Sequence, residues 1–279
     1  MKRILRISWL AIAALLPLAA QAFPPAPYHL IYGMVKDEYG TPLMSAQAKV
    51  VFVSSNGMAV ATTVAPGLAI GVNFALEVPM DAGTAAGLYK ATAQKSGALF
   101  KLYVVVGGVT NTPIQMTGSY KVLGKPAAQT NLDLTLGEDT NGNGIPDAWE
   151  YAFLGALGLD IDFATLRAGT DYALDGRTLL QEYQLGNYPF DVADSFSVKM
   201  ADFNGGAAVL EFSTMSGRSY TVLGSPDLKQ WTGLSFTIPS ENTGGVHTYY
   251  AAPDIRTLQV QVVQPGGGAT MRFFKLALH

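Results

Sequence analysis

Apolar and polar residues alternate in short runs along most of this chain, and the runs break at turn signals. Period-two alternation sends successive side chains to opposite faces of a strand. Ahead of residue 137 the pattern predicts a strand and turn within Tyr28–Leu43, then strands at Ala48–Val53, Ala59–Val64, Ile70–Val78, Gly87–Gln94, Leu99–Val106, Ile114–Lys121 and Asn131–Leu136. Ser55-Asn-Gly57, Ala65-Pro-Gly67, Asp81-Ala-Gly83, Ser96-Gly97 and Gly107-Gly108 separate them, and these residue types suit the backbone angles of tight turns. Beyond residue 190 the pattern resumes, with strands expected at Ser195–Met200, Ala208–Ser213, Ser219–Leu223, Leu234–Ile238, Thr248–Ala252, Thr257–Val263 and Met271–Leu278. Leu210 and Phe212 share one face of their strand, as do Tyr220 and Val222, and Phe274, Leu276 and Leu278. Many short strands at this spacing predict a mainly β chain with two β-sandwich domains.

Between the two runs of strands the period changes. Trp149, Phe153, Ala156 and Leu157 fall on one face of a short helix that Gly158 can end. Thr178 and Gln181 have the spacing of a capping box, and Gly186 and Pro189 stop the helix that follows. The expected organisation is 1–22 as a leader, 23–137 as the first sandwich, 138–190 as a helical connector and 191–279 as the second sandwich.

Composition sharpens this picture. Only 14% of the 279 residues are charged while 49% are hydrophobic, so a packed core is expected rather than disorder. The net charge of −3 argues against a phosphate backbone as partner, and no basic patch interleaved with aromatics suggests nucleic acid. Lys2, Arg3 and Arg6, the apolar run Ile7–Leu18 and the small-x-small Ala20-Gln21-Ala22 make a cleavable signal peptide, with the mature chain expected from Phe23. We therefore expect a secreted or cell-envelope protein with no membrane span after cleavage, since no later stretch approaches eighteen apolar residues. With no cysteine, no disulfide can hold it.

The connector opens on Asp139-Thr-Asn-Gly-Asn-Gly-Ile-Pro-Asp-Ala-Trp-Glu150. Asp139, Asn141, Asn143, Asp147 and Glu150 occupy positions 1, 3, 5, 9 and 12 of a twelve-residue calcium loop, and Gly144 occupies position 6. Ile145, at position 7, ligates through its carbonyl. Hard Ca²⁺ wants six to eight oxygens, and alternate positions of a turning loop aim them at one centre. A plain Asn/Gly-rich turn explains the middle of the run but leaves the carboxylates at positions 9 and 12 unexplained. A second loop starts 32 residues later, at Asp171, with Asp175, Gly176, Arg177 and Glu182 at positions 5, 6, 7 and 12. Its positions 3 and 9 are Ala173 and Leu179, which supply no oxygen, so it is either a weak calcium site or a loop kept for packing.

Three resemblances accompany these residues. Gly33-x-Val35-x-Asp37-x-x-Gly40-x-Pro42-Leu43-x-x-Ala46 resembles the opening of carboxypeptidase regulatory-like (transthyretin-like) sandwiches, which implies a non-catalytic first domain. The loop-then-helix units, entered from the alternating Leu132–Leu136, resemble dockerin loops and thrombospondin type 3-like repeats. Residues 139–189 together are similar to the EF-hand-like connector of exported bacterial multidomain proteins, and Ser216–Trp231 resembles their terminal β-domain.

Other chemistry is sparse. Three histidines (His29, His247 and His279), no His-x-x-x-His pair and no cysteine argue against zinc. No nucleophile elbow, Walker loop or Gly-x-Gly-x-x-Gly occurs. The expectation is a non-catalytic, calcium-binding structural and interaction protein, with an unidentified protein or polysaccharide at the cell surface as partner. The alternatives are a carbohydrate-binding module and, less favoured, a glycoside hydrolase with carboxylates from distant strands. Trp231 is expected in the core, with sugar stacking as the alternative, and one of Tyr249 and Tyr250 is expected inside.

Overall fold

The computed structural model describes residues 26–83, 89–186, 196–204, 207–241, 244–266 and 270–279. The expected signal peptide, residues 1–22, and Pro189 lie outside them. The described chain is mainly β, with two helices, and its buried apolar residues form three clusters.

The first cluster lies between two sheets. In Ala48–Ser54 the alternation buries Ala48, Val50, Phe52 and Ser54, and in Leu99–Val106 it buries Phe100, Leu102 and Val104. These strands pair antiparallel with Val50 opposite Val104 and Phe52 opposite Leu102, so the apolar side chains share one face. The Phe52 and Phe100 rings stack at 5.1 Å. The facing sheet has His29–Gly33 in the middle, antiparallel to Phe74–Val78 and parallel to Gln129–Asn131. Just beyond, Leu134–Thr135 runs parallel to Val35–Lys36, so the end of this unit lies beside its beginning.

Three expected strands change form. Pro113 caps a single 3-10 turn, Ile114–Met116, where a strand was expected over Ile114–Lys121; it fixes its own φ and lacks a donor for a ladder. The turn drives Met116 fully into the core. Asn131–Leu136 breaks at 132–133, where the Asp133 side chain accepts from the Met34 N–H at 2.9 Å and from Lys36 Nζ at 3.3 Å. Of the expected Gly87–Gln94, residues 87–88 lie outside the described ones, and among the described residues 89–94 only Gln94 is in a strand, Gln94–Lys95.

The third cluster in chain order lies between a sheet of Val198–Asn204, Ala207–Thr214, Arg256–Val262, Phe236–Thr237 and Val246–His247 and a sheet built on Ser219–Ser225. Leu210 pairs with Val260 and Phe212 with Leu258. Phe274, Leu276 and Leu278 pack against the same core from Phe273–Leu278. Tyr250 is buried and Tyr249 half-buried, as the alternation requires. Trp231 is half-buried rather than in the core, and the Lys275 ammonium stands 4.3 Å from its ring centre. It sits just before the short Thr232–Leu234 strand, and its face is taken by a cation.

The middle cluster holds helices α1 (Asp147–Leu157) and α2 (Leu179–Leu185) together. Gly158 and Gly186 end them in the left-handed conformation, at φ 62° and 70°. Thr178 and Gln181 form the expected reciprocal cap of α2. Trp149 stacks on Phe153 at 5.1 Å and meets Tyr183 of α2 edge-on at 5.5 Å. Among the described residues no helix is long and apolar enough to cross a membrane.

Candidate metal centre

The loop 139–150 is shaped by its own side chains. Asp139 accepts from the backbone N–H of Asn143 at 3.0 Å and of Gly144 at 2.9 Å, one on each carboxylate oxygen. The Asn143 side-chain oxygen accepts from the Ile145 N–H at 2.9 Å, and that of Asn141 from the Asn143 N–H at 3.1 Å. Asp147 accepts from the Thr140 N–H at 2.9 Å, which ties the start of α1 back across the loop. Gly142 and Gly144 take φ of 72° and 88°, the left-handed turns that let the chain double back.

Glu150 is the centre of this arrangement. It is fully buried, and its two oxygens accept from the Asn141 and Asn143 side-chain amides, the former at 2.8 Å. Burial pushes its pKa up; the two amides pull it down, and Asp147 and Asp139 push it up again. Among the described residues no Lys, Arg or His nitrogen lies within 4.0 Å of it. A buried carboxylate facing two others without a cation is costly, and that cost favours any cation the loop can hold.

The donor set is all oxygen and therefore suits Ca²⁺: carboxylates of Asp139, Asp147 and Glu150, amide oxygens of Asn141 and Asn143, and the Ile145 carbonyl. Each engaged asparagine oxygen accepts one backbone N–H and retains a second lone pair. Among the described residues no three His, Asp or Glu side chains gather closely enough to hold a metal by themselves. A site here therefore depends on the amides and the carbonyl as well. The Ile145 side chain is fully buried in the middle core, so one residue anchors the loop and offers its carbonyl to it.

The second loop repeats the scaffold. Asp171 accepts from the N–H groups of Asp175 and Gly176 at 3.3 and 2.8 Å, and Asp175 from that of Arg177 at 3.0 Å. Leu174 and Gly176 take φ of 56° and 89°, matching Gly142 and Gly144. The difference is at position 7. The Arg177 guanidinium stands 3.6 Å from Glu182 and 3.9 Å from Asp175, and its other nitrogen donates to the Phe196 carbonyl at 3.3 Å. Leu179, at position 9, is buried in the middle core. This loop brings its own cation to the carboxylates. Sequence reasoning treated Arg177 as a carbonyl donor only; the overlooked signal was a basic side chain flanked by Asp171, Asp175 and Glu182.

The histidines are occupied elsewhere. His29 Nδ1 accepts from the Gly124 N–H at 3.0 Å, so the proton sits on Nε2 and is donated to Thr130 Oγ1 at 2.8 Å. In that tautomer His29 cannot serve as a base toward the hydroxyl. His247 lies 3.0 Å from Glu241, and His279 Nε2 lies 3.0 Å from Thr221 Oγ1. No family model matches this chain, and no curated protein matches it.

Proposed function

We propose that this is an exported, non-catalytic, calcium-binding structural and interaction protein of the cell envelope or extracellular space. Its loop 139–150 binds one Ca²⁺, and its partner is a protein or polysaccharide at the cell surface. The observation that carries the reading is Glu150, a fully buried carboxylate at the last ligand position with no basic group within 4.0 Å among the described residues. Calcium offsets that buried charge and links the loop to α1, which carries Glu150 beside Trp149. The second loop stays metal-free in this reading, because Arg177 already neutralises Glu182 and Asp175.

Calorimetric titration of the whole chain with CaCl₂ tests it. The expected result is a single event at about 10⁻⁴–10⁻³ M, as in extracellular calcium modules. No heat and no change in tryptophan fluorescence across that range would sink the reading.

A further inference from the structure

A cavity of about 520 Å³ opens where the three units meet. Lys36 and Asp133 line it from the first unit, Arg177 and Gln184 from the connector, and Arg218 and His279 from the last. Three cationic side chains thus face one side-chain carboxylate. Two of the cations have partners: Lys36 bridges to Asp133 at 3.3 Å, and Arg177 to Glu182 at 3.6 Å.

Arg218 does not. It is 3% exposed, and among the described residues no carboxylate oxygen lies within 4.0 Å of it. One guanidinium nitrogen donates to the Gly40 carbonyl at 2.9 Å, while Nε has no hydrogen-bond partner. Asp133 and Asp37 act on it only from beyond that distance. A buried guanidinium with no carboxylate in contact is unfavourable, and Arg is suited to holding planar carboxylates. The same excess of positive charge acts on Lys36, whose pKa is pushed down first by burial and then by Arg218.

We propose that this cavity binds an acidic monosaccharide unit, with Arg218 and Lys36 holding its carboxylate. The rest of the lining argues for a sugar rather than a bare oxyanion. Met34, Leu185 and Leu278 supply an apolar wall for the C–H face of a ring. The exposed Gln184 amide offers a donor and an acceptor to hydroxyls. The volume falls in the range of small-molecule sites and exceeds what a lone phosphate fills. The inference does not rest on calcium, because every residue it uses lies outside the loop 139–150.

Titration calorimetry with D-glucuronate, D-glucose and inorganic phosphate, on the calcium-loaded whole chain, tests it. Glucuronate should bind saturably at one site, and glucose and phosphate at least ~10-fold more weakly, a difference of about 1.4 kcal/mol. Gln184→Glu, an exposed change at the rim, should weaken glucuronate by at least ~10-fold through like charge. Gln230→Glu, outside the cavity lining, should leave it unchanged. Absent glucuronate binding, equal binding of glucose or phosphate, or indifference to Gln184→Glu overturns the proposal. The calcium titration of the same sample reports separately on the first loop.

Discussion

Arg177 stands 3.6 Å from Glu182, whereas at the equivalent positions of the first loop Ile145 turns its side chain into the core and leaves Glu150 without a cation. The two loops share their backbone scaffold, and among the described residues only the second has a basic side chain beside its carboxylates. The consequence for metal binding is direct. On the proposed calcium reading, Glu150→Gln should weaken calcium by at least ~10-fold, because it would remove the bidentate ligand and a charge together. Glu182→Gln should leave the calcium isotherm unchanged. Calorimetry on both variants checks the asymmetry, and a larger loss from Glu182→Gln would reverse the assignment of the two loops.

Arg177→Gln should make the second loop unstable in the absence of metal. Removing one partner of a buried pair costs about 3–5 kcal/mol, and the 31% exposure of the Arg177 side chain lowers the expectation to about 1–2 kcal/mol. Thermal unfolding with and without calcium measures it. Millimolar calcium should recover part of the loss, since Asp175 and Glu182 then lose the guanidinium beside them.

Leu174 repeats the left-handed backbone of Gly142 at φ 56° while 88% exposed. That conformation costs an L-residue about 1–2 kcal/mol, and an exposed side chain contributes little packing. Leu174→Gly should therefore stabilise the protein, by about 0.5–1 kcal/mol after the entropy that glycine loses. Denaturant midpoints at constant slope measure the difference, and a destabilised variant would contradict the strain.

Gly217 sits at φ 79°, where a Cβ would come within 2.6 Å of Pro42 and 3.0 Å of the Met44 sulfur. Gly217→Ala adds strain and pushes the last unit off the first. We expect a loss of about 1–3 kcal/mol and faster proteolysis between the units, read by limited digestion. Unchanged digestion would mean that the contact yields without cost.

Below neutral pH the first unit should weaken through His29. Burial holds its pKa below the ordinary 6.5, and its Nδ1 must stay unprotonated to accept from Gly124. The unfolded chain takes up a proton as pH falls through about 6.5 while the folded chain does not. Stability is thus complete above that pH and declines below it, by at most about 1.4 kcal/mol per pH unit, until the lower folded pKa is reached. Thermal melts from pH 7.5 to 5 should trace this decline, and His29→Gln should make it shallower, leaving the part that His279, also held down by burial, contributes.

Sequence legibility followed the range of the forces involved. Strand Leu99–Val106 was readable to the residue because its face is set by alternation alone. The C-caps of both helices and the N-cap of α2 were readable because Gly158, Gly186 and the Thr178–Gln181 pair act within one turn. The turns of the loop 139–150 are local, since the side-chain hydrogen bonds onto its backbone N–H groups span no more than seven residues. Ile114–Lys121 misled because Pro113 overrode the alternation that Ile114-Gln-Met116 begins. Trp231 misled because ring size argued for the core while Lys275, from another strand, covered it at the surface. Arg218 was invisible: its role depends on the Gly40 carbonyl, 178 residues away in sequence.

The parallel pairing of the first unit's entry and exit strands has a mechanical meaning. His29–Gly33 and Val35–Lys36 run beside Gln129–Asn131 and Leu134–Thr135 in the same direction. In a chain held at both ends, tension enters this unit at one end of that seam and leaves at the other. Its hydrogen bonds are then loaded side by side in shear, and the strands cannot be peeled apart one bond at a time. The unit resists pulling along the chain axis through the geometry of its seam, independently of how deeply its core is buried.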